Sequence, residues 1–317
     1  MTVNDVPVND VPVNDVPVNK VLVVGMDGLR FDRLADIGPP VLRGLMEAGA
    51  YGTGKLPYGE AGAPRTESPG EVVEAHHEGG GSGREIRART DSGPGWSSIA
   101  TGVWPDKHGV VDNGFAGAQF TKYPDFLVRA TAAGHQTYAI FSWAALAEHG
   151  AFGPAITDRT VLDGYADTFA ACDKRVADLA ERHLATQDPD AAFVYFGDTD
   201  EVAHDLGPWC PEYTDALLLQ DAFLGRLLDA VRSRPAYAAE RWTVLVTTDH
   251  GHVDAGGHGG ISDEERTTFV ILNELDRARP APLESPMLVD LAPTVLDRLG
   301  VALDPAWGLD GKVLPAG

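Results

Sequence analysis

Four aspartates and a set of histidines stand where an α/β protein places its chemistry. Asp27 closes the run VLVVGMD, Asp198 and Asp200 follow AAFVYF, and Asp249 follows WTVLVTT. In an open α/β sheet the ligand crevice lies beyond the carboxyl ends of the strands, so carboxylates at those ends converge. Each aspartate alone is also an ordinary turn or N-cap residue. Histidine sharpens the pattern. Asp200 and His204 are one helical turn apart if a helix begins there, and His250 and His258 follow closely on Asp249. Asp27, Asp200 and Asp249 with His204, His250 and His258 make a mixed oxygen and nitrogen donor set without thiolate. Such a set suits two zinc ions better than a calcium or magnesium cage. His76, His77, His135, His149 and His183 stand apart in polar surroundings and read as surface residues.

A dinuclear site needs an attacking group, and the segment TDSGPGWSSIATG supplies hydroxyls at the start of a predicted helix. Ser92 is the best placed. The Gly93-Pro94 step after it suits a sharp entry into a helix, whose free N–H groups and positive end favour an alkoxide and a phosphate. On this segment alone an ordinary N-cap serine is the competing reading.

The elements that must position these residues alternate along the chain. VLVVG, AAFVYF (191–196), WTVLVTT (242–248) and TTFVIL (267–272) are short, β-branched or aromatic runs that read as buried strands. Helical patterns fall around 39–48, 124–133, 168–186, 212–233 and 287–299. The alternation predicts an α/β fold with a doubly wound, mostly parallel sheet flanked by helices. Residues 1–19 carry a V-N-D-V-P repeat with nothing to bury and are expected to be a disordered tail, leaving 20–317 as a single catalytic domain. A stretch at 52–90, rich in Gly, Pro, Glu and Ser, is expected to be a flexible insertion.

Bulk properties narrow the partners. The 317 residues carry 25 Lys and Arg against 47 Asp and Glu, a net charge of −22 that repels nucleic-acid polymers and anionic membranes. Cys172 and Cys210 have no C-x-x-C spacing, so neither a redox nor a thiolate-zinc site is indicated. There is no basic segment leading into an apolar stretch at the N-terminus and no run long enough to span a bilayer, which predicts a cytoplasmic protein. Oligomeric state is not legible.

In this order, the motifs VVGMDGLR, SGPGWSSIATGVWPDKHGVVDNGF, DTDEVAHDLGP, TTDHGH, GGHGG and LVDLAPTVLDRLGV with LDGKVL resemble the alkaline phosphatase superfamily. The likeness is greatest to its nucleotide pyrophosphatase/phosphodiesterase branch, including the type I phosphodiesterase-like proteins. Carried over position by position, the resemblance implies that Asp27, Asp249 and His250 hold one zinc and that Asp200, His204 and His258 hold the other. Other divalent transition metals are alternatives. Ser92 would bridge or approach the first ion as nucleophile, and Asn113 would hold a non-bridging phosphate oxygen. Asp198 and His252 match no ligand position.

Two departures bear on substrate. Nucleotide-cleaving members commonly follow the nucleophile with an aromatic residue on which a base stacks, and here that position is Gly93; Trp96, Phe115 or Tyr123 would have to provide another platform. A sulfatase would require x-Pro-x-Arg after its modified residue, and Trp96 stands where that arginine belongs. The implied activity is hydrolysis of a small-molecule phosphodiester or pyrophosphate through a phosphoseryl intermediate at a di-zinc site. A phosphomonoesterase, a phosphonate hydrolase or a phospho-transferase would use the same residues, and a non-catalytic metal-stabilised binding protein is the rival outside enzymology.

Overall fold

The computed structural model describes residues 17–60 and 85–315. Ten strands occur there: β1 (Val18–Met26), β2 (Ala50–Lys55), β3 (Tyr58–Glu60), β4 (Glu85–Arg87), β5 (Thr137–Phe141), β6 (Asp158–Val161), β7 (Ala191–Phe196), β8 (Glu240–Thr247), β9 (Thr267–Glu274) and β10 (Ala281–Pro282). Eight of them form one sheet in the order β10-β2-β9-β8-β1-β7-β5-β6, and β3 pairs with β4 as a separate ribbon. From β8 through β6 every pairing is parallel. The strand β9 runs antiparallel to both of its neighbours, β8 and β2.

Burial on both faces explains why the central strands are continuous apolar runs. Val21 and Val23 of β1 pack with Trp96, Ile99, Phe126 and Phe193 on one face, whereas Leu22, Val24 and Met26 pack with Ile140, Val194, Phe196 and Leu217 on the other. All five β1 side chains are fully buried. The helices Ser92–Thr101, Phe126–Ala132 and Leu291–Arg298 cover the first face, and Pro40–Ala48, Phe169–Thr186 and Pro211–Arg232 the second. These agree with the helical patterns read from the sequence to within a few residues. The doubly wound α/β class is as the alternation predicts.

The strand Thr137–Phe141 is a further fully buried parallel strand that the sequence reading did not mark. Two boundaries also differ. β1 begins at Val18, inside the expected tail, while residues 1–16 lie outside the described residues. β2 runs into the 52–90 stretch and β3 and β4 fall inside it, while its interior, 61–84, lies outside the described residues. Glycine composition hides β2, yet Gly52 and Gly54 are there because the backbone carbonyls of Leu283 and Pro286 occupy the places where their Cβ atoms would stand.

The order β8-β1-β7 sets up the site. Gly25 of β1 pairs with Thr247 of β8, and Met26 pairs with Phe196 of β7, so the residues that follow all three strands emerge side by side at one edge. Asp27, Asp249 and the Asp198–Leu206 helix begin at that edge.

Candidate metal and nucleophile centre

Besides a third set that overlaps both, Asp200, His250 and His252, two groups of donors with no shared residue meet at the strand ends. Asp27, Asp249 and His250 form one, Asp200, His204 and His258 the other, and within each group one ligand atom per residue lies within 4.8 Å of the others. The first group is sealed, with side-chain exposures of 1%, 0% and 0%. The second opens outward, His204 being 44% exposed while Asp200 is at 15% and His258 at 5%.

Within the first group the hydrogen bonds assign which atoms are left over. Asp27 Oδ2 accepts from Tyr195 Oη at 2.5 Å and from Trp96 Nε1 at 2.9 Å. Asp249 Oδ1 accepts from the Gly28 backbone at 3.3 Å. That leaves Asp27 Oδ1 and Asp249 Oδ2 buried with no donor among the described residues. His250 stands between them, its Nε2 3.4 Å from Asp27 Oδ1 and 3.2 Å from Asp249 Oδ2. Its Nδ1 faces the Gly251 carbonyl at 3.1 Å, and a carbonyl can only accept, so Nδ1 carries the proton and Nε2 presents a lone pair to the two carboxylates. Three lone pairs that face one another call for a cation or, in its absence, a shared proton.

The electrostatics agree. Burial, followed by the charge of Asp200, pushes Asp27 up to about 7, and burial with the neighbouring Asp27 holds Asp249 well above the usual carboxylate range. His250 is held well below its ordinary value by burial and then by His258. A protein without a cation here pays for three buried donors that face one another.

The second group repeats the arrangement. The Asp198–Leu206 helix starts where Asp173, buried on the neighbouring helix, accepts the backbone N–H groups of Gly197 and Asp198 at 2.9 to 3.0 Å. One turn further on, Asp200 and His204 share a face, with Asp200 Oδ2 3.2 Å from His204 Nε2. His258 donates from Nδ1 to the Thr90 carbonyl at 2.6 Å, which turns its Nε2 lone pair toward His204 Nε2 at 2.9 Å and Asp200 Oδ1 at 3.5 Å. His204 is raised to about 9, first by its hydrogen bond to Asp200. The donor chemistry of both groups fits a cation with nitrogen and oxygen ligands, and Asp27, Asp249, His250, Asp200 and His258 are each held by a further hydrogen bond.

Ser92 opens the helix Ser92–Thr101, every residue of which is buried. Its Oγ lies 3.1 Å from His250 Nε2, which brings it to the first group. Close packing accounts for the two glycines that follow. A Cβ at Gly95 would stand 2.8 Å from Asp249 Cβ, and one at Gly93 would stand 2.7 Å from the Asp112 carbonyl oxygen. The Gly93 N–H donates to Asn113 Oδ1 at 2.7 Å, so that the exposed Asn113 sits on the helix entrance with its NH2 as the donor it can offer. His108 braces the same junction. Fully buried and held down to about 3 by burial, it accepts from Val110 N–H at Nδ1 and donates from Nε2 to Ser98 Oγ, tying the 108–113 loop to the helix.

The expected aromatic platforms are corrected. Trp96 is fully buried, its indole bonded to Asp27 and its ring set edge-on against Phe193 and Tyr195, so it cannot meet a substrate. Four residues after Ser92 on one helix, it points with the serine toward the sheet. Phe115 and Tyr123 are also buried, the former stacked on His149. Gly93 takes part through its engaged N–H rather than as open substrate surface. Tyr165, which the sequence did not single out, is 70% exposed and feels the charges of Glu201, Asp200 and Asp27 after the effect of burial.

Among the remaining residues, Asp198 is outside both groups, whereas His252, left out by sequence reasoning, is buried within 2.8 Å of Asp200. Its signal was the H-x-H spacing with His250, which puts two imidazoles on one loop. His135, His149 and His183 lie elsewhere, against Asp190, Phe115 and Tyr138, and His76 and His77 lie outside the described residues. Arg30 is tied to Asp32 and Asp254, and Lys107 to Asp310 and the Gly308 carbonyl. Among the described residues no helix is long and apolar enough to cross a membrane.

Comparison with known proteins gives three findings. The family model described as type I phosphodiesterase / nucleotide pyrophosphatase matches residues 88–276, which include Ser92, Asn113 and every donor named above except Asp27. Murine ectonucleotide pyrophosphatase/phosphodiesterase 5, in a structure with AMP, is 16% identical, with a TM-score of 0.64 over 90% of this chain and 96% of that one. A 2-O GAG sulfatase is 13% identical, with a TM-score of 0.63 over 94% of this chain and 73% of that one. These two likenesses bear on the fold, which is alkaline phosphatase-like. No curated protein sequence matches the chain.

Proposed function

The chain belongs to the type I phosphodiesterase / nucleotide pyrophosphatase family, a metal-dependent family of phosphoric ester hydrolases in the alkaline phosphatase superfamily, and from that premise we propose a di-zinc phosphodiesterase or pyrophosphatase whose nucleophile is Ser92. The observation that carries the reading is the pair of orphaned, buried oxygens Asp27 Oδ1 and Asp249 Oδ2 facing the His250 lone pair, with Ser92 Oγ 3.1 Å from that same nitrogen. Asp27, Asp249 and His250 would hold one ion, and Asp200, His204 and His258 the other. Bound there, the cations would supply the positive charge that lowers the pKa of the Ser92 hydroxyl and neutralises the departing oxygen.

The protein's own groups do the rest. Ser92 Oγ gives up its proton to solvent and forms a bond to phosphorus as the bond to the opposite ester oxygen breaks; that oxygen leaves with the electron pair and takes a proton from solvent, giving a phosphoseryl intermediate. Water then forms a new bond to phosphorus, the Oγ–P bond breaks, and the serine hydroxyl is restored. The Asn113 NH2 and the entrance of the Ser92–Thr101 helix would meet charge on the equatorial oxygens, where one such donor is commonly worth about 3 kcal/mol. Residues 20–317 would act as one catalytic domain on a small-molecule ester.

A diester is favoured over a monoester by the fate of the cations. A monoester brings an additional negative charge, yet the basic side chains of the first two motifs, Arg30 and Lys107, are already engaged by carboxylates. Hydrolysis of bis(p-nitrophenyl) phosphate should therefore exceed that of p-nitrophenyl phosphate on zinc-loaded protein; a strong preference for the monoester would overturn the choice.

A further inference from the structure

His252 belongs to neither proposed donor group, yet it is fully buried against one of them. Its Nε2 lies 2.8 Å from Asp200 Oδ1, while the other oxygen of that carboxylate faces His204. A proton on Nδ1 would be buried with no acceptor among the described residues, so in the neutral ring it sits on Nε2, which donates to Asp200 Oδ1. The remaining ring nitrogen, Nδ1, is buried and has no partner. Among the described residues the bond to Asp200 is thus the one polar contact of this imidazole, and its surroundings support it from two sides. Arg30 donates to the His252 carbonyl at 3.0 Å and anchors the loop. Gly28, at φ 62°, turns the chain immediately after Asp27, and a Cβ there would lie 2.5 Å from His252 Nε2 and 2.7 Å from Asp200 Oδ1.

We propose that His252 is a positioning residue: by donating to Asp200 Oδ1 it fixes the carboxylate that stands between the two donor groups, and so sets the affinity of the outer group for its ion. Asp200 is the carboxylate on which that group depends, since His204 and His258 both face it. Its helix is short and begins at a strand end, so backbone alone leaves the carboxylate free to rotate. A ring seated over Gly28, on a loop that Arg30 anchors through the His252 carbonyl, removes that freedom. Outer hydrogen bonds to metal-binding carboxylates act in this way, and losing one commonly lowers metal affinity by about ten- to a hundredfold.

This inference rests on the two-metal reading, and the test separates them. Wild type, His252→Leu and His252→Gln are titrated with zinc against a chelator, and the visible spectrum of the cobalt(II)-loaded proteins is recorded. Two ions are expected in wild type. His252→Leu should weaken the more labile ion by about ten- to a hundredfold and spare the tighter one. His252→Gln, whose amide can donate to Oδ1 but is a poor zinc ligand, should recover most of the loss with a wild-type cobalt spectrum. Should the leucine variant fail to fold, the glutamine variant decides alone. Wild-type affinity in His252→Leu would overturn the inference while leaving two-metal binding intact. A glutamine variant that loses the second ion or alters the cobalt spectrum would overturn it in favour of direct ligation. Fewer than two ions in wild type would sink the two-metal reading itself, and this inference with it.

Discussion

Tyr195→Phe removes one hydroxyl and leaves the ring, which makes it a clean perturbation of the sealed donor group. In the native protein Asp27 Oδ2 takes hydrogen bonds from Tyr195 and Trp96, and this double engagement turns Oδ1 toward His250. The phenylalanine keeps the edge-on packing against Trp96, whose ring centroid is 5.1 Å away. What is lost is a hydrogen bond to a charged acceptor in a site that is 1% exposed, worth about 1.5 to 3 kcal/mol net. About 1.4 kcal/mol is a factor of ten, so the affinity of the tighter ion should fall between about tenfold and about a hundredfold. Trp96→Phe should do the same through the same oxygen, and the double variant should cost more than the sum, because in either single variant the remaining donor still holds the carboxylate. Chelator competition with zinc measures this directly. Wild-type affinity in Tyr195→Phe, with an unchanged Tm, would refute the claim that these two donors aim Asp27.

Two predictions concern protons. His204 is raised to about 9 by Asp200, so below that pH an ion must displace its proton; zinc affinity of the outer group should climb with pH and level off near 9, and a flat profile below 9 would contradict the assignment. In metal-free protein Asp27 is raised from 3.8 to about 7, so the folded state binds the extra proton and the stability it contributes is present below the unfolded value and lost as pH rises through 7. The Tm of chelator-treated protein should therefore fall between about pH 4 and pH 7, and the zinc-dependent gain in Tm should widen over the same window; a gain that is constant or shrinks would refute it.

Much of this architecture was legible because the central strands are buried on both faces. VLVVG and AAFVYF leave little choice but a parallel core, and a parallel core fixes where Asp27, Asp200 and Asp249 must emerge. The His204 and His258 positions followed from spacing and family likeness. What escaped notice had local signals that pointed elsewhere. Gly52 and Gly54 made a strand resemble a loop, although their purpose is close approach of the chain around Leu283 and Pro286. Trp96 was offered as a stacking platform because Gly93 stands where the family commonly has an aromatic residue, whereas helical periodicity turns it inward to Asp27. Tyr195 looked like one more core aromatic, and no pattern in a sequence tells which buried phenol finds a carboxylate 168 positions away. His252 was set aside because the family likeness gave it no partner; its partner is Asp200, supplied by a neighbouring strand end.

The central claim joins a nucleophile to a metal centre, and one paired measurement tests it: turnover of bis(p-nitrophenyl) phosphate and bound metal, determined on the same preparations of wild type and Ser92→Ala. Ser92 contributes its hydroxyl to chemistry and lies beside the sealed donor group without being one of the six carboxylate and imidazole donors. The expected result is two zinc ions per chain in both proteins with turnover abolished in the variant. Substantial turnover by Ser92→Ala with its metals in place would contradict the account.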